Sequence, residues 1–459
     1  MNFLSIEFYG MLFICLVMYY LIPVKRRWLV LLTGSLGFYC LISYKALIVF
    51  MVICLFSFIL GIVIEKKKNN ALLFLTIIFL ILPMICFRLA SGIWPERKLP
   101  VIVGLSYFTL QIIAYTVDVY KGKIEAEKNL SKYILFVSFF PQIIQGPIPR
   151  YEQLQPQLIE GHKFEEEKFI KGFMLIQWGF FLKLMLADKA AVIVNTIFGN
   201  YEIYEGMYIV LGGVLYSVQI YADFLAYTTI AQGIAALFGI NLVNNFAHPY
   251  FSCSIKQFWE RWHISLSRWL KDYIYIPLGG NRKRKNINIV LTFLVSGLWH
   301  GFNLKYIAWG MIHAGYQIIG EKIYGLVHME KESRIKRIVK QTGTFMWVTI
   351  AWIIFRADTL KQALKMLYSS VSSFNPQILW NGSILELGLD WQEMLILIGS
   401  ILILIKCNMM QEKYCIRDKI IKQLFVVRLA IYIAVISVIW VFGTYGYEFE
   451  AADFIYGGF

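Results

Sequence analysis

The chain has 459 residues, of which 58% are hydrophobic, 17% aromatic and only 16% charged, and its mean hydropathy is +0.61. Such a composition, broken into many apolar runs long enough to cross a bilayer, excludes a soluble domain and reads as an all-α polytopic membrane protein. The formal charge of +15 does not point to nucleic acid, because the lysines and arginines fall in short clusters between apolar runs rather than on a basic domain.

Apolar runs predict spanning helices at 3–22, 28–44, 46–64, 71–87, 101–119, 168–186, 206–225, 286–301, 303–324, 342–356, 391–407 and 424–444. The first is expected to be retained: the amino terminus lacks a basic leader, and Lys25, Arg26 and Arg27 follow the run. A further apolar stretch, 132–148, leads into Pro141, Pro147 and Pro149. Prolines so close together resist a continuous spanning helix, so the stretch reads as re-entrant.

Placing the loops 23–27, 65–70, 120–132, 281–285, 328–340 and 408–422 inside assigns them 23 lysines and arginines, against 7 in the outer loops. Both termini then face outward. With no internal repeat or low-complexity linker, residues 1–459 read as one integral membrane domain with an extracytoplasmic tail at 445–459. The seven cysteines form no C-x-x-C and lie mainly in or beside apolar segments, which suits packing rather than metal binding or disulfides.

Residues 258–273 interleave charges and aromatics at helical spacing, with Trp262, Leu266, Trp269 and Tyr273 on one face and Arg261, Ser265 and Arg268 on another. Two readings are open: an interfacial helix whose arginines meet lipid phosphates, or the wall of a site for an anionic ligand. Gly279 and Gly280 then precede the cations Arg282, Lys283, Arg284 and Lys285, a turn that suits either a phosphate or a cytoplasmic anchor. The run 286–301 is about 24 Å long, less than a hydrocarbon core of about 30 Å, so it is expected beside a cavity or a thinned layer.

Two of the six histidines, His263 in Trp262-His263-Ile264-Ser265-Leu266-Ser267 and His300 in Leu298-Trp299-His300-Gly301, adjoin tryptophan in apolar surroundings. A polar ring there needs a partner or a cavity, which leaves a structural histidine and a catalytic one as the alternatives.

These blocks resemble the membrane-bound O-acyltransferase superfamily, in particular its bacterial branch that acylates exported polymers. The likeness extends to Phe139-Phe140-Pro141-Gln142, to Gln145-Gly146-Pro147 through Tyr151, to Tyr221-Ala222-Asp223-Phe224, to Phe258 through Asn281, to Trp352 through Ala357, and to the ending Phe454-Ile455-Tyr456-Gly457-Gly458-Phe459. It departs after Asp223-Phe224, where Leu225-Ala226-Tyr227-Thr228-Thr229 replaces the usual Ser-Gly-Tyr-Ser-Asp.

The resemblance implies a ring of about 11–13 transmembrane helices, with re-entrant and interfacial helices, around a thinned centre reached by a funnel from each face. It implies His300 as the principal catalytic residue and His263 as the second. A neutral imidazole suits removal of a hydroxyl proton during attack on a thioester. Arg261, Arg268, Lys271 and Arg282 are the candidates to hold the donor's phosphates.

Asp272 through Gly280 is similar to the O-acetylating members, which implies acetyl-CoA as donor, with no tightly bound cofactor and no metal. The implied setting is the bacterial inner or plasma membrane, with membrane lipid around the chain, an extracytoplasmic SGNH-type acyltransferase as partner and a cell-surface polysaccharide or peptidoglycan as final acceptor. The tail is either an aromatic anchor or, with Tyr456 as acyl relay, part of the chemistry. D-alanyl transfer to teichoic acid is the alternative within the enzyme class, and a secondary transporter the alternative outside it.

Overall fold

The structure, a computed structural model, describes residues 3–93, 102, 104–143, 145–326, 333–412 and 414–445. Every regular element among them is helical, and seven helices are long and apolar enough to cross a membrane. Each of the twelve apolar runs overlaps a helix among the described residues. Two extend well past their predicted ends: the run at 168–186 continues to Gly199 and the run at 206–225 to Leu237. The chain divides into two compact units, one of Met1–Ile176 with Tyr227–Asn244, the other of Gln177–Ala226 with Asn245–Phe459.

The first unit contains α1 (Ile6–Leu21), α2 (Arg27–Ile42), α3 (Tyr44–Lys67), α4 (Asn70–Ile93) and α5 (Leu105–Tyr120). Its centre is α5, of which Leu105 through Val119 are all buried. The stretch predicted as re-entrant is interrupted at Phe139, with α6 (Leu130–Ser138) before it and the single turn α7 (Phe140–Ile143) after it. Hydrogen bonds from side chains meet the backbone groups that this break leaves: Gln111 Nε2 donates to Phe136 O at 2.7 Å, and the Phe140 amide donates to Ser35 Oγ at 3.1 Å.

After α8 (Tyr151–Glu160), the start of α9 (Glu166–Phe180) packs on the end of α11 (Met207–Leu237). Gly172 and Gly233 make that approach possible. A Cβ on Gly172 would stand 2.7 Å from Gly233 O, and one on Gly233 would stand 2.6 Å from Gly172 O.

The second unit takes the end of α9, a π turn over Phe181–Ala187, α10 (Asp188–Gly199) and the first part of α11. Next come α12 (Ile255–Arg261), α13 (Ile264–Leu270), α14 (Lys285–His300), α15 (Leu304–Leu326), α16 (Arg334–Arg356), α17 (Leu360–Ser372), α18 (Trp391–Gln411), α19 (Ile416–Ile421) and α20 (Phe425–Phe442). Residues 258–273 therefore do not form one helix. His263 breaks them with φ +42 and ψ +54. Of the expected apolar face Trp262, Leu266 and Trp269 are buried and Tyr273 only half-buried, while Ser265, expected on the polar face, is buried too.

Candidate active site

His300 is the last residue of α14, and three glycines bring it against α15. A Cβ at Gly297 would stand 2.4 Å from Tyr306 O, one at Gly310 2.4 Å from Phe293 O, and one at Gly301 2.6 Å from the Tyr306 ring. The two helix backbones meet with no side chain between them. The His300 imidazole, 2% exposed, is enclosed edge-on by Trp309 and Phe355, each with its ring centroid 5.2 Å away.

His263 is placed by strain that its surroundings hold. A non-glycine residue in the left-handed region costs about 1–2 kcal/mol. Asn245 clamps the next turn: its carbonyl accepts from the Ile264 amide at 2.9 Å and its Oδ1 from the Ser265 amide at 3.1 Å. The Ser267 amide closes the turn onto His263 O at 2.9 Å. The imidazole is buried, with Phe224 perpendicular to it at 4.6 Å. Burial pushes its pKa down to about 3, so the ring is neutral at physiological pH.

The two histidines that the sequence singled out come together across one indole. The Trp299 centroid lies 4.8 Å from that of His300 and 6.2 Å from that of His263. Two buried imidazoles in contact with one indole make a site shielded from bulk water, in which an uncharged ring can accept a hydroxyl proton.

The four candidate basic residues divide. Arg261 is engaged by the fold, with Nη1 3.4 Å from Phe251 O and 3.9 Å from Glu412 Oε1. Arg268, Lys271 and Arg282 are exposed. The turn before Arg282 is tied down by Asn288, whose Nδ2 donates to Gly280 O at 2.9 Å and to Lys283 O at 2.6 Å. Tyr456 lies outside the described residues.

Sequence reasoning missed several residues of this unit. Lys183 is buried between two carboxylates, 2.8 Å from Asp188 Oδ1 and 2.9 Å from Asp223 Oδ1. The π turn creates that geometry, because the Asp188 amide donates to Lys183 O rather than one residue further along. Asp223 is followed by Phe224, the ring against His263, so the buried triad anchors one wall of the site. The available signal was two charges, Lys183 and Asp188, close together in an apolar stretch. His313, on α15 four residues after Trp309, accepts a hydrogen bond at Nδ1 from Trp259 Nε1 at 3.3 Å. Its signal was the Trp-x-x-x-His spacing, which puts both rings on one helix face.

The family model described as MBOAT, membrane-bound O-acyltransferase family, matches residues 72–360. Over 369 residues the chain is 36% identical to a probable alginate O-acetylase of Pseudomonas fluorescens, covering 79% of this chain and 73% of that protein. The chain belongs to the membrane-bound O-acyltransferase family.

It is also 31% identical over 390 residues to a peptidoglycan O-acetyltransferase of Helicobacter pylori, covering 75% of this chain and 73% of the relative. Identity to a teichoic acid D-alanyltransferase of Bacillus subtilis is 29% over 282 residues, covering 54% and 68%. Within the family these likenesses put the chain in the bacterial O-acetylation branch, as an acyltransferase of a multi-pass membrane protein. The matched range contains His263, His300 and the Lys183 triad.

Proposed function

We propose that this acyltransferase takes acetyl groups from acetyl-CoA on the cytoplasmic side and delivers them to the outer face of a bacterial inner or plasma membrane, for O-acetylation of a cell-surface polysaccharide or peptidoglycan. The observation that carries the reading is the pairing of His263 and His300 around Trp299, in a chain whose relatives include a probable alginate O-acetylase and a peptidoglycan O-acetyltransferase.

His300 is the general base, and His263, neutral and rigidly held, orients the donor or relays a proton. Arg261, Arg268, Lys271 and Arg282 receive the donor's phosphates on the inner side. Both termini face outward, and the tail passes the acetyl group through Tyr456 to an extracytoplasmic SGNH-type partner. The D-alanyl alternative has one observation behind it, the likeness to the teichoic acid D-alanyltransferase.

The test is thiol release by purified protein in liposomes, with acetyl-CoA or a D-alanyl carrier thioester as donor. Turnover of acetyl-CoA supports the proposal. Turnover of the D-alanyl thioester alone transfers the protein to the other acyl group, and solute flux without thioester cleavage removes it from the enzyme class.

A further inference from the structure

On α15 two buried N–H groups have no hydrogen-bond partner among the described residues: Trp309 Nε1, on the ring that touches His300, and His313 Nε2, one turn further along. Trp309 is 1% exposed and His313 fully buried. The tautomer of His313 follows from its other nitrogen. Nδ1 accepts from Trp259 Nε1, so a neutral ring carries its proton on Nε2, and that nitrogen is a donor. Residues four apart on α15 share a face, and the rings of Trp309 and His313 are in contact, centroids 5.0 Å apart. Trp309 in turn meets His300 at 88°, centroids 5.2 Å apart.

An unmet buried donor costs about 1–3 kcal/mol. Two of them, on one helix face that meets the base through Trp309, are a large cost unless an oxygen acceptor arrives during the reaction. We propose that Trp309 Nε1 and His313 Nε2 are the oxyanion-binding donors of the acyl transfer. The inference rests on the acyltransfer reading above and adds to it the groups that receive the developing charge.

In the step, His300 takes the acceptor's hydroxyl proton as that oxygen bonds to the thioester carbon. The carbonyl π pair moves onto oxygen, where the two N–H groups meet it. When the carbonyl re-forms, the carbon–sulfur bond breaks and the leaving thiolate takes the proton back from His300. Base and donors each stand about 3 Å from the oxygen they serve, so they belong in neighbouring rings. Neutral donors in a water-excluded site need no reorganisation when the charge appears.

The experiment uses the full chain in liposomes with acetyl-CoA as probe, following thiol release. His313→Phe and Trp309→Phe should each lower kcat about 100–1,000-fold, with KM within about threefold, because the contact strengthens only in the transition state. His313→Gln keeps an N–H donor and should recover at least about tenfold over His313→Phe. Trp259→Phe removes the bond that orients His313 but spares both donors, so its loss should be smaller. A structural role alone would lower the unfolding midpoint and raise KM together, with Gln no better than Phe, and that result overturns the proposal. It is also overturned if folded His313→Phe and Trp309→Phe turn over within threefold of wild type. With wild type active and His300→Ala inactive, such a result removes the donors and leaves the base standing. A wild type that never cleaves acetyl-CoA removes both.

Discussion

The indole of Trp299 lies 4.8 Å from the imidazole of His300, centroid to centroid, and crosses it at 71°. They are consecutive residues at the end of α14, and the same indole reaches His263 from a different part of the chain. The position of His300 thus depends on the glycine-lined contact of α14 with α15, and that of His263 on the Asn245 clamp. Each dependence can be tested.

Asn245→Ala removes the Oδ1 that accepts from the Ser265 amide. Leaving that buried amide unmet should cost about 1–3 kcal/mol and let the left-handed turn at His263 relax. Acetyl-transfer rate should fall more steeply than the unfolding midpoint. In a His263→Ala background the same change should cost little further activity, because the residue it positions is gone.

Gly297→Ala should fail for a steric reason, since its Cβ would fall 2.4 Å from a backbone carbonyl. Overpacking of this kind costs about 1–3 kcal/mol or more, and parting the helices draws His300 away from Trp309. Gly315 on the same α15 is the control, because a Cβ there meets nothing within 4 Å. Gly315→Ala should leave the midpoint unchanged or raise it by the helix-propensity gain of up to about 1 kcal/mol. Thermal unfolding in detergent compares the two.

Lys183→Met leaves Asp188 and Asp223 buried without the ammonium between them. Breaking a buried ion pair costs about 3–5 kcal/mol, so this variant should express poorly or unfold at much lower temperature. Adding Asp188→Asn and Asp223→Asn removes the stranded charge and should restore most of the midpoint. Activity should stay low if the triad also sets Phe224 against His263.

Much of the fold was legible because apolar runs of membrane length have few alternatives to helices. Pro141, Pro147 and Pro149 likewise marked where the first unit's chain breaks. His263 and His300 were legible as imidazoles beside tryptophan in apolar sequence. The helical wheel over 258–273 placed Trp262, Leu266 and Trp269 inside and Arg268 outside, but it missed the burial of Ser265 and the break at His263, because a histidine with positive φ has no local signature and is imposed by Asn245, a residue 18 positions earlier. Lys183, Asp188 and Asp223 were invisible as a triad for a similar reason. Their pairing depends on a π turn and on contact between helices distant in sequence. The 3.9 Å approach of Glu412, on another helix end, to Arg261 was equally invisible in the sequence.

The most direct test of acyl transfer centred on His300 is single-turnover cleavage of acetyl-CoA by purified His300→Ala protein in liposomes, with the wild-type chain measured beside it. The variant should be folded, its unfolding midpoint within a few degrees of wild type, and its thiol release should not exceed that of empty liposomes. Thiol release by folded His300→Ala at the wild-type rate would contradict the role of His300 as base.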